Sequence, residues 1–191
     1  MADIKTDDRF LALALQMQTT AREIMHERKE PWNARSILTG ALAVLKFSQA
    51  SERERIEAEI AIKADLGCAV HMNPVYVDAF VEAGAEYIYG QALDQAVRLL
   101  GPSHPTTAYV IAKQADRHLS QGRYWEAEKL YLEVLRITDR QPLPNAELLA
   151  QTLTSYAGLL RKMDPDGKLK RLDEAEDAER YALEIRSRLA R

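Results

Sequence analysis

The sequence predicts an all-α protein of stacked antiparallel helical hairpins, and three observations carry that expectation. Apolar residues recur at helical spacing through most of the chain. No segment shows sustained strand alternation with β-branched enrichment. Three segments repeat one another in what read as second helices of successive hairpins.

The elements follow in order. From Asp8 to Lys29, residues Phe10, Leu11, Ala14, Leu15, Met17, Ala21, Ile24 and Met25 form a broad apolar stripe, which "EPWN" interrupts. Ile37, Leu38, Ala41, Leu42, Leu45 and Phe47 form a second. Ser51, with Glu54 three residues on, has the capping-box spacing, so a third helix should run from Glu52 to Leu66 and stop near Gly67. "HMNP" breaks the chain, and a fourth helix should run from about Val75 to Leu100. Thr106 to Ser120, Tyr124 to Asp139, Asn145 to Met163 and Leu172 to Ala190 complete about eight helices. Their short connections predict antiparallel neighbours.

The repeat is gapless over "AEYIYGQALDQ" from Ala85, "AEKLYLEVLRI" from Ala127 and "AEDAERYALEI" from Ala175. Each pairs a smaller apolar residue with Leu at the same offset: Ala92 with Leu93, Val134 with Leu135, Ala182 with Leu183. Ala85 and Ala127 are 42 residues apart, as are Ala115 and Ala157, while Ala127 and Ala175 are 48 apart. The six extra residues belong to the loop "MDPDGKLKR", where an insertion costs little. A hairpin cannot bury both faces alone and must stack on a neighbour. Ala115, Ala127 and Ala175 supply the small residues that close helix crossings need, and Leu130, Leu135, Ile137, Leu153 and Leu160 fill the space between.

The middle unit, "LGPSHP…A…QGRYWEAEKLYLEVLRI", resembles the tetratricopeptide repeat of the kinesin-light-chain type. The resemblance covers roughly residues 83–186 and implies a short right-handed superhelix whose first helices line a concave face. It departs at Glu179, where the pattern has Tyr, and at the paired Asn of the first helix, replaced by Ala112–Lys113 and Thr154–Ser155. The expected organisation is therefore a helical segment over residues 1–72, of degenerate hairpins or a cap, followed by a repeat array over 73–191.

Composition narrows the function. The 26 Lys+Arg nearly balance the 29 Asp+Glu, a net charge of −3 that gives no reason to expect a nucleic-acid or anionic-membrane partner. No apolar run approaches a membrane span. The N-terminal apolar run is short and preceded by Asp7 and Asp8, unlike an export signal. With the single Cys68 there is no internal disulfide, and a cytoplasmic location is expected.

Several arrangements invite a chemical reading and fail to sustain one. Ser103 and His104 have the types of a nucleophile and base, but adjacent residues rarely face each other suitably, and Gly101, Pro102 and Pro105 around them spell a helix–helix corner. Cys68 and His71 have no second close pair to complete a zinc site. In "DPDGKLKRLDEAE" the Gly sits at the fourth place of a would-be calcium loop, not the sixth. No catalytic residue, metal or cofactor is expected. The alternating charges of residues 172–191 read as a solvated, capping face.

The sharper candidates are Tyr109, Lys113, Asp116 and Arg117, at helical spacing on the first helix of the middle unit, with Gln151 and Ser155 as counterparts of Tyr109 and Lys113 in the next. Such a mixed wall suits an extended peptide or a partner helix, with Lys113 and Arg117 favouring acidic groups. The expected function is a non-catalytic adaptor that binds a protein or peptide partner through this concave face. The alternative is a structural subunit of a larger or self-associated assembly, in which the end helix around Tyr181 to Leu189 needs a cover.

Overall fold

The computed structural model describes residues 8–28, 30–71, 79–139, 145–168 and 170–190. Every regular element among them is helical: α1 (Arg9–Glu23, continued by a π-helical turn, Ile24–Arg28), α2 (Pro31–Leu45), α3 (Glu52–His71), α4 (Ala79–Leu99), α5 (Pro105–Ser120), α6 (Tyr124–Asp139), α7 (Ala146–Met163) and α8 (Arg171–Leu189). They group into two compact units, residues 1–100 and 101–191, and helices adjacent in sequence pack against each other within each.

In the first unit, Asp8 caps α1. Its Oδ1 accepts from the backbone N–H groups of Phe10 (3.1 Å) and Leu11 (2.9 Å), while its Oδ2 accepts from Ser48 Oγ (2.8 Å). One carboxylate thus satisfies two orphan helix donors and ties the start of α1 to the turn after α2. "EPWN" proves to be a start rather than a gap, because Pro31 occupies the first turn of α2, where its missing N–H costs nothing. Ser51 and Glu54 form the expected capping box at α3, with Ser51 N–H donating to Glu54 Oε2 (3.0 Å) and Glu54 N–H to Ser51 Oγ (3.3 Å).

The third helix does not stop at Gly67. It runs on to His71, and Gly67 serves a different purpose: a Cβ there would lie 3.0–3.1 Å from the ring of Tyr89, which is 1% exposed. Gly67 lets the α4 ring sit against the α3 backbone, so α3 is the helix that α4 packs on. The expected start of the fourth helix near Val75 lies outside the described residues. The core of this unit includes Ala14, Ala21, Leu38, Ala41 and Ile62, each fully enclosed. Beside it, Asp65 of α3, also fully buried, accepts from Gln18 Nε2 (2.6 Å) and Arg22 Nε (2.7 Å) of α1.

The second unit opens with the corner that the sequence spelled. Gly101 has φ +102°, Thr107 Oγ1 donates to its carbonyl (2.8 Å), and Pro105 starts α5. His104 is the N-cap: its Nδ1 accepts from Thr106 N–H (3.2 Å). The turn into α6 is a Schellman motif: Arg123 N–H donates to His118 O (2.9 Å) and Gly122 N–H to Leu119 O (3.1 Å), with Gly122 at φ +73°. Ala115, Ala127 and Ala175 are all fully enclosed, as close helix crossings require, alongside Leu160 and Ile137. In the repeated apolar pairs only the first member is always buried (Ala92, Val134 and Ala182), whereas Leu183 is 64% exposed. Glu179 has its own role: it forms a bidentate ion pair with Arg161 of α7, Arg161 Nη2 lying 2.7 Å from Oε2.

Candidate functional site

The face where α5 meets α7 carries the candidate site. Tyr109, Lys113 and Asp116 fall within about 60° of one another on α5, at about 100° per residue. Gln151 and Ser155 lie one turn apart on α7. All five line one cleft, with Tyr131 of α6 reaching in between the two helices.

Tyr131 is the floor of that cleft. Its ring is fully buried and meets Tyr156 edge-on, with centroids 6.4 Å apart. Its hydroxyl donates to Asp116 Oδ1 (2.6 Å). Burial chiefly, then the charge and hydrogen bond of Asp116, push the Tyr131 phenol above its usual range, against a smaller opposing effect of the Ser155 hydroxyl. Above the floor, Lys113 Nζ sits 5.3 Å from the centroid of the Tyr109 ring, a cation–π arrangement that holds a positive charge at the rim.

Arg117 does not join them. It is 6% exposed and absent from the cleft, whereas the sequence places it beside Lys113 on the same face. The helical period explains the separation: Arg117 lies about 80° from Tyr109 and about 100° from Asp116, off the stripe that the other three share. The positive charge that this face presents is that of Lys113.

The cleft is small. Its volume of about 20 Å³ is room for one water, against the several hundred Å³ that hold a small-molecule ligand. Its polar groups can therefore engage what lies across them, not something enclosed by them. Ser103 and His104 stand apart from it, with His104 Nδ1 engaged in capping α5.

One relationship beside this site was not readable from spacing. Arg171, at the start of α8, pairs with Glu128 of α6 and lies 5.4 Å from the Trp125 ring centroid, while Tyr156 donates to Glu174 Oε1 (2.7 Å). The separation of 43 positions between Glu128 and Arg171 places this pair beyond any local motif.

Residues 83–140 match the family model described as the tetratricopeptide repeat. The matched segment spans α5, α6 and most of α4, so Tyr109, Lys113, Asp116 and Tyr131 fall within it and Gln151 and Ser155 beyond it. No curated protein matches the chain. Tetratricopeptide repeats generally mediate protein–protein interaction and are generally non-catalytic. No described helix is long and apolar enough to cross a membrane.

Proposed function

We propose that this protein is a non-catalytic adaptor that holds a protein or peptide partner across the α5–α7 face, with Tyr109, Lys113, Asp116, Gln151 and Ser155 as its contact residues. The observation that supports this reading is the convergence of those five side chains from two helices on one small cleft. An extended peptide laid across it meets a cation at Lys113, an acceptor at Asp116 and an amide at Gln151, the mixed chemistry that fixes peptide register. The cleft's size argues in the same direction, since a surface of this kind gains affinity by spreading contacts along a partner. In this reading the array is of the kinesin-light-chain kind and extends over residues 73–191, with residues 1–72 preceding it, and the protein acts as a cytoplasmic scaffold. The test is affinity capture with Lys113→Glu plus Gln151→Glu beside the wild-type protein. A partner retained by the wild type should be lost by the variant at unchanged melting temperature; equal retention removes the α5–α7 assignment.

A second reading rests on α8. Tyr181, Leu183 and Leu189 are 48%, 64% and 54% exposed on this last helix, and an open groove of about 330 Å³ lies between Tyr181 and Leu135, Leu149 and Leu153. Exposed apolar side chains beside such a groove are what a partner surface can cover. Self-association through α8 would make the protein a structural subunit. Light scattering over a concentration series separates the readings, because a monomer throughout disfavours self-association.

A further inference from the structure

The first unit carries a groove that the adaptor reading does not use. It has a volume of about 580 Å³, within the range of small-molecule sites, and lies between the end of α2 and the first turns of α3. Its walls have two characters. Leu42 and Leu45 of α2 face Ile56 of α3 and supply an aliphatic surface. Arg55 supplies a guanidinium whose enclosed Nε has no hydrogen-bond partner among the described residues.

That enclosed N–H is a cost. A buried donor without an acceptor forfeits about 1–3 kcal/mol, more when it carries charge. The groove's own carboxylates do not relieve it. Glu59 is held by Lys63 (2.6 Å), whose Nζ also donates to Gln95 (2.9 Å). Setting that pair aside, Lys46 and Arg55 outnumber Glu52 by one positive charge. A carboxylate is the planar acceptor that fits a guanidinium fork, and an aliphatic body behind it would cover Leu42, Leu45 and Ile56.

We propose that this groove binds a small carboxylate with an aliphatic body, its carboxylate on Arg55 and its chain along Leu42, Leu45 and Ile56. Octanoate is the probe, with octan-1-ol and acetate as comparators, each titrated into the full chain while the backbone amide resonances of Leu45, Arg55 and Ile56 are followed. Octanoate should shift them saturably, and octan-1-ol and acetate should each bind at least about tenfold more weakly. Arg55→Met should weaken octanoate about tenfold without lowering the melting temperature. Equal binding of octan-1-ol, undiminished octanoate binding by Arg55→Met, or no saturable octanoate shift overturns the proposal. The wild-type comparison of octanoate with octan-1-ol decides the matter should the variant not fold.

Discussion

The Tyr131 hydroxyl on α6 reaches 2.6 Å to Asp116 Oδ1 on α5, joining the floor of the cleft to its wall. The bond fixes an acceptor that would otherwise swing freely at the surface. Tyr131→Phe should cost about 1.5 kcal/mol, the low end for a bond to a charged group, because Asp116 is partly exposed. Partner retention should fall with it if Asp116 must be held in place. The phenol also sets an alkaline limit. Its folded pKa is raised above 10.0, so its contribution is intact below pH 10 and is lost as pH rises further, when the unfolded chain ionises first. Denaturant melts between pH 9 and 11 (a range set by the usual tyrosine pKa of about 10) should steepen in their decline for the wild type and flatten for Tyr131→Phe.

The acid side is governed by the caps. Hydrogen bonds from the Ser51 hydroxyl and then the Ser51 N–H hold the Glu54 carboxyl below 4.5, and the Leu11 N–H chiefly holds Asp8 below 3.8. Both folded pKa values are depressed, so both contributions are present above those ordinary values and are lost as pH falls through the folded ones. Carboxyl carbon titrations should place both groups below their ordinary values. Ser51→Ala should return Glu54 towards 4.5 and cost the α3 N-terminus about 1 kcal/mol.

Glycines in helices offer a contrast of sign. Gly90 lies inside α4 with nothing within 4 Å of an added Cβ, so Gly90→Ala should stabilise by about 0.5–1 kcal/mol through propensity alone. Gly67 lies inside α3 with the buried Tyr89 ring at 3.0 Å. Gly67→Ala should lower stability despite the same propensity gain, because the added Cβ forces an enclosed ring to shift within a packed interior. Thermal melts of the two variants should move in opposite directions.

These glycines show where a sequence is legible. Helix period, the Ser51–Glu54 box and the Gly101–Pro105 corner are local signals, and each describes a local structure that forms as it reads. Gly67 carries the same local signal as a helix stop, and only the Tyr89 ring, 22 residues on, reverses it. Arg117 fails for a related reason: it lies about 80° from Tyr109 and about 100° from Asp116, and that accumulated angle decides between rim and interior. The grouping of Tyr109, Lys113 and Asp116 with Gln151 and Ser155 was legible because the 42-residue offset aligns two helices. The Tyr131 floor was not, since its apolar position in the repeat says nothing of where its hydroxyl ends.

The least local feature is the buried carboxylate of the first unit, and it gives the largest expected effect. Asp65 is fully buried with Gln18 and Arg22 as donors, 47 and 43 residues away, while the Arg22 side chain is 38% exposed. The two partners therefore differ in what their loss leaves behind. Arg22→Met strands a carboxylate in the interior and should cost about 2–3 kcal/mol, reduced from the fully buried case because Arg22 itself is partly solvated. Asp65→Leu frees Arg22 towards water and leaves only the buried Gln18 amide without that acceptor, a neutral donor that costs less to strand than a charge. The double variant should recover part of the Arg22→Met loss, as expected when an apolar side chain replaces an unpaired buried charge. Denaturant midpoints of the two single variants and the double variant close the cycle, and a double variant as unstable as the sum of the singles would show that the pair does not act as one unit.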